Sequence, residues 1–96
     1  MINKLVAECH LNSAEHGFWI QSANIPEKLM LIVSELAEAL EDYRHNNKSH
    51  IGEELADVCI RVFDLAGYLG VDLEKEIDIK MKKNVERPYL HGGRKA

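Results

Sequence analysis

Apolar residues in this chain recur at intervals of three and four and almost nowhere at intervals of two. Leu29, Ile32, Val33, Leu36, Leu40 and Tyr43 form one stripe at helical period, and Ile51, Leu55, Val58, Val62 and Leu65 form another. This pattern confines the chain to packed helices. A strand needs alternation, and the one alternating stretch, Ile77 to Met81, lies inside a stronger helical period. The boundaries carry their own chemistry. A first helix runs from about Ile2 to His16 and is closed by Gly17. Pro26 fits the first turn of a second helix that reaches about Arg44. After a polar connection over His45 to Ser49, Ser49 is expected to cap a third helix ending near Leu69, with Gly70 as its left-handed terminal residue. Asp72 is expected to cap a fourth, which frays before Pro88. The fold class expected is all-α, a four-helix bundle-like protomer.

Ninety-six residues make a single domain, 1–96, because two would each be too small to bury a core easily. No apolar run approaches the ~20 residues that span a bilayer, and no signal-peptide pattern opens the chain. Cys9 and Cys59 sit inside amphipathic patterns without CxxC spacing, so they read as reduced thiols of a cytoplasmic protein. Charge is unevenly spread. Residues 80–96 hold six Lys and Arg against Glu86 alone, while the overall charge is −4. The acidic body argues against binding a nucleic acid polymer, which needs a basic surface. A basic tail from about residue 88 beside an acidic body suits a bipolar partner such as a metal ion carrying a polyphosphate; a merely solvated tail is the other reading.

Glu35 and Glu38 lie three residues apart on the second helix and share a face away from its Leu29–Leu36–Leu40 stripe. Glu54 and Asp57 repeat the spacing on the third helix, in a line that continues through Arg61 and Asp64. If the two helices pack antiparallel, the acidic pairs face each other across a groove. Four converging carboxylates need cations, and Mg²⁺ or Mn²⁺ suits an all-oxygen site. Spacing alone leaves a second reading open, two solvated helix faces. Leu31 on the acidic face of the second helix, and Ile60 and Phe63 off the main stripe of the third, weigh against it.

Ser34-Glu35-Leu36-Ala37-Glu38 followed by Glu53-Glu54-Leu55-Ala56-Asp57-Val58 resembles the E-E-x-x-E and E-x-x-D signature of the MazG-like all-α nucleoside triphosphate pyrophosphohydrolases. The resemblance spans about Glu15 to Gly92 and includes Lys80 to Pro88, which is similar to the family's lysine- and asparagine-bearing last helix. Ser34 stands where the family has its first glutamate. The ligand set the resemblance implies here is therefore Glu35, Glu38, Glu54 and Asp57, with Mg²⁺ as cofactor and Mn²⁺ as substitute. It implies cleavage of a nucleoside triphosphate between the α- and β-phosphates, giving monophosphate and pyrophosphate, in a nucleotide-pool house-cleaning role. One carboxylate would orient the attacking water; Glu38 is the choice made here. The resemblance also implies a homodimer or dimer of dimers, which agrees with apolar Cys59, Ile60 and Phe63 needing cover.

Lys80, Asn84 and Arg87 recur along one line of the fourth helix. With Lys83 they are assigned to the substrate: the lysines to phosphate charge, Asn84 to a phosphate or sugar hydrogen bond, Arg87 to the pyrophosphate end. Each could equally be a solvated surface group. Arg61 is expected to pair with Asp64, with substrate contact as the alternative. Trp19, beside Phe18, has two roles open to it: stacking on a nucleobase, or closing the end of the bundle. The five histidines lack zinc or di-iron spacing. A rival from another class is a non-enzymatic helical module whose acidic face binds a basic partner.

Overall fold

The computed structural model describes residues 1–19 and 24–87, and four α-helices account for most of them: α1 Ile2–Glu15, α2 Ile25–Arg44, α3 Ile51–Leu69 and α4 Leu73–Glu86. The described residues contain no strand. The all-α reading holds, with its boundaries within two residues at most ends. The basic tail expected from about residue 88 lies outside the described residues.

Local chemistry explains most of the ends. α1 stops at Gly17, whose φ of 83° suits a residue without Cβ. Asn24 caps α2 by accepting from the Glu27 N–H, and Pro26 sits in the first turn. Gly70 ends α3 in the left-handed region, and the Asp72 carboxylate caps α4 by accepting from the Lys75 N–H. Ser49 is a correction. A short 3₁₀ turn, Lys48–His50, precedes α3, and the Ser49 hydroxyl donates to the Asn47 side chain, so α3 begins without a side-chain cap.

α3 is the central helix, with α1 and α2 packed on it and α4 packed chiefly on α1. Contact between α1 and α3 is tight. A Cβ added at Gly67 would lie 2.6 Å from the Cβ of His10, so the missing side chain sets the spacing of the two helices. α1 and α4 cap one another. Glu74 accepts from the backbone N–H of Ile2 and Asn3, while the Asn3 side chain accepts from the Glu74 N–H and donates to Asp72. That exchange holds α4 at the start of α1.

The buried apolar core among the described residues is small: Val6, Leu65 and Ala66. The stripe on α2 is not part of it. Leu29, Val33, Leu36, Leu40 and Tyr43 are all about half exposed or more, whereas the half-buried line Lys28, Leu31, Ile32, Glu35, Ala39 and Asp42 is the better covered side. α2 thus turns its mixed polar side to α3 and its apolar side outward. The molecule is open in consequence. Its radius of gyration is 15.8 Å, where a compact chain of this length would have about 12–13 Å.

Candidate metal centre

α2 and α3 are joined by a short connection that turns the chain back on itself. Glu35 meets Arg61 and Glu38 meets Glu54, so partner numbers fall on α3 as they rise on α2, the register of an antiparallel pair. This brings carboxylate oxygens of Glu35, Glu38 and Glu54 within 4.8 Å of one another. Asp57, one turn beyond Glu54, lines the adjoining cavity together with Glu35 but is not one of the three that converge.

The electrostatics of the three are unequal. Burial alone would raise the Glu35 carboxyl. The guanidinium of Arg61, whose Nε donates to Glu35 Oε1 at 3.0 Å, and hydrogen bonding with Glu38 outweigh it and hold Glu35 below the usual carboxylate range. Glu54 moves the other way. Burial, then the charge and hydrogen bonding of Glu38, then Glu35 and the charge of Asp42, push it up to about 7. A carboxyl pushed that far is only partly ionised at neutral pH, which eases the crowding of the three acidic groups.

The Oε2 of Glu54 is buried without a hydrogen-bond partner. An unpaired acceptor beside two further carboxylates, with neither His nor Cys in the group, fits a hard divalent cation with oxygen ligands. The residues present thus suit Mg²⁺ or Mn²⁺.

Next to the carboxylates lies a cavity of about 300 Å³, between α1, α2, α3 and the turn after α1. Arg61 lines it, and its partner is a correction: the expected pair with Asp64 is replaced by the pair with Glu35. Asp64 is engaged elsewhere, accepting at one oxygen from Trp19 Nε1 and sharing a 2.9 Å contact with His10 Nδ1. Trp19 stacks on Tyr68 at 4.1 Å, nearly parallel, and the Lys28 ammonium stands 4.6 Å from its ring centroid. With Tyr68 stacked on one face, Lys28 must occupy the other. Trp19 is thus flanked by Tyr68 and Lys28 while also lining the cavity. Lys28 is fixed in turn by donating to the Phe18 carbonyl. The Cys9 thiol, also on the cavity wall, is pushed up by burial and by Asp64 and Glu8.

The other assigned residues stand apart. Lys80, Lys83 and Asn84 are exposed on α4 and Arg87 at its C-terminal end; the capping exchange ties α4 to α1, and none of the four lines the cavity. His10, Tyr68, Lys28 and Ser13 were not singled out from sequence. Their partners lie on other helices, and no local spacing signals such contacts.

The described residues thus define an all-helical protomer with a cluster of carboxylates set between two antiparallel helices. A model of the MazG-like family matches residues 24–94, and the chain belongs to that family. The family is associated with nucleoside triphosphate pyrophosphohydrolases and is typically dependent on divalent metal. No curated protein and no solved structure matches the chain. No described helix is long and apolar enough to cross a membrane.

Proposed function

We propose that the protein is a Mg²⁺-dependent nucleotide pyrophosphohydrolase that cleaves (deoxy)nucleoside triphosphates between the α- and β-phosphates, in the cytoplasmic nucleotide pool. The observation that carries this reading is the convergence of Glu35, Glu38 and Glu54 around a buried, unpaired Glu54 oxygen. Glu35, Glu38, Glu54 and Asp57 would hold the ion, which supplies charge neutralisation at the phosphates and a more acidic bound water. Mn²⁺ is the expected substitute.

Residue exposure divides the labour. Glu38 is the exposed member of the three, and so the one able to orient a water arriving from solvent. Glu35 is fixed by Arg61 and is suited to a ligand that must not move. Glu54 would be held ionised by a bound cation, whose charge would neutralise its neighbours.

The same reading includes a second copy of the chain. Six large apolar residues of α2 are exposed, Leu36 at 47% and Tyr43 at 63% among them, and Ile60 on α3 is 49% exposed. A homodimer, or a dimer of dimers, would cover them. It would also bring Lys80, Lys83, Asn84 and Arg87 of one copy towards phosphates held by the carboxylates of another.

A nucleotide panel with Mg²⁺, resolving monophosphate plus pyrophosphate from diphosphate plus phosphate, tests the chemistry. Diphosphate as sole product would overturn the choice of bond, and no release from any nucleotide would overturn the enzyme. Sedimentation showing only a monomer at micromolar concentration would overturn the assembly.

A further inference from the structure

We infer that Arg61 has a second role as an anion ligand: its Nε stays on Glu35 while its two terminal nitrogens take a phosphate group of the substrate. This rests on the proposed nucleotide chemistry for the identity of the anion. The position and availability of the guanidinium stand on separate observations.

Arg61 meets the carboxylate centre with one nitrogen only. Its Nε donates to Glu35 Oε1 at 3.0 Å, and neither terminal nitrogen has a hydrogen bond among the described residues. Two acids on α3 could take that free end by their spacing, and neither does. Asp64 is committed to Trp19 and His10, and Asp57 makes no bond with Arg61. The Arg61 side chain is 33% exposed and lines the cavity beside the carboxylates. Its unpaired terminal nitrogens are not among the buried atoms, so a ligand can reach them.

A guanidinium anchored through Nε presents its other two nitrogens as a planar fork, the shape that binds two oxygens of one phosphate. The anchor also holds the fork in place beforehand, so less freedom is lost when an anion binds. Lys28 adds a second cation to the same cavity wall. It donates to the Phe18 carbonyl and has no ion pair among the described residues. Arg61 thus serves two charges of the same sign, a carboxylate of the chain and a phosphate from outside it.

The test is titration calorimetry of inorganic pyrophosphate in millimolar Mg²⁺ with the parent, Arg61→Met, Arg61→Lys and Arg44→Met. Loss of a charge-assisted contact should weaken pyrophosphate about ten- to a hundredfold in Arg61→Met. Arg61→Lys keeps the charge without the fork and should fall between; it also serves if Arg61→Met does not fold by circular dichroism. Arg44→Met removes a positive charge from an exposed pair with Glu41 and should stay within about twofold of the parent. The sign separates this role from a purely structural one. An arginine that only held Glu35 would, once removed, free that carboxylate for Mg²⁺ and leave pyrophosphate binding equal or tighter.

Pyrophosphate bound by Arg61→Met as well as by the parent, or better, would overturn the inference. So would no binding to the parent, or an equal loss in Arg44→Met. The two proposals fail separately. Arg61-dependent pyrophosphate binding without cleavage of any nucleotide keeps the ligand and removes the enzyme. Nucleotide cleavage with KM unchanged in Arg61→Met does the reverse.

Discussion

Arg61 is the cation this chain itself supplies to its acidic centre, and removing it should reveal how the centre is balanced. Its Nε lies 3.0 Å from Glu35 Oε1, with the two side chains 33% and 13% exposed. At that distance and an effective dielectric near 20, the Coulomb attraction is about 5–6 kcal/mol. The guanidinium keeps part of its hydration, so the net worth falls to that of a charge-assisted hydrogen bond, about 1.5–3 kcal/mol. Arg61→Met retains the apolar stem and deletes the charge. In chelator it should lower stability by about 2 kcal/mol, which for a chain of this size is roughly 8–16 °C in Tm.

Magnesium should act in the opposite sense on the variant. In the parent, a divalent ion at Glu35 must share that carboxylate with the guanidinium. Without Arg61 the ion is the only neutralising group, so its affinity should rise by about tenfold, or ~1.4 kcal/mol. Thermal melts with chelator and with millimolar Mg²⁺ at matched ionic strength give the stability difference, and titration calorimetry gives the affinity. Arg61→Lys, which keeps the charge and loses the Nε geometry, should fall between. A variant as stable as the parent in chelator, or equal Mg²⁺ responses in the two proteins, would refute the reasoning.

Three further outcomes are expected. Changing Glu35, Glu38, Glu54 or Asp57 to the matching amide should abolish pyrophosphate release with the fold intact by circular dichroism, while Glu53→Gln, on an exposed neighbouring position, should be mild. Glu54 titrates near 7 in the folded protein against an ordinary 4.5. The native state then binds a proton that the unfolded chain has lost, and stability in chelator should decline as pH rises from about 4.5 to 7 and level off above; denaturant melts across pH 5–8 should show that slope in the parent and not in Glu54→Gln. Glu35, held low, contributes with the opposite sign and only in the acid range, its stabilisation being lost as pH falls below 4.5. Gly67→Ala gains about 1 kcal/mol of helix propensity, yet its methyl would press on the His10 Cβ, so a net loss on the order of 1 kcal/mol should appear in the melting temperature.

Helix existence was legible in the sequence because periodicity is a property of each segment alone. Gly70 and Asp72 were legible for the same reason, since a left-handed terminus and a cap are satisfied within four residues. Ser49 was not. Its hydroxyl turns back to the Asn47 side chain inside the 3₁₀ turn, a contact that depends on the shape of that turn and not on Ser49's place in the sequence. Two acidic pairs on two helix faces were readable from spacing, and the structure brings Glu35, Glu38 and Glu54 of them together. Arg61 was misread because local spacing places Asp57 and Asp64 one turn away on either side of it, whereas the antiparallel register delivers Glu35 from 26 residues away. Asp64 in its turn is claimed by Trp19 and His10, 45 and 54 residues distant.

The largest difference concerns α2, and it bears on function. A stripe of apolar residues states that one side of a helix must be covered but not by what. Within a single copy, α3 covers the other side, the one that carries Leu31, Glu35 and Asp42. α2 therefore has two demands on opposite faces: acidic groups that require a cation between α2 and α3, and apolar groups that require an apolar partner outside. One copy meets the first in part, through Arg61 and the raised Glu54 carboxyl, and leaves the second unmet. A helix packed on one side only is poorly fixed against rocking, and a metal centre needs its ligands fixed. Covering the outer face with a second copy would hold Glu35 and Glu38 in register with Glu54, so the proposed assembly and the proposed chemistry depend on the same element of the fold.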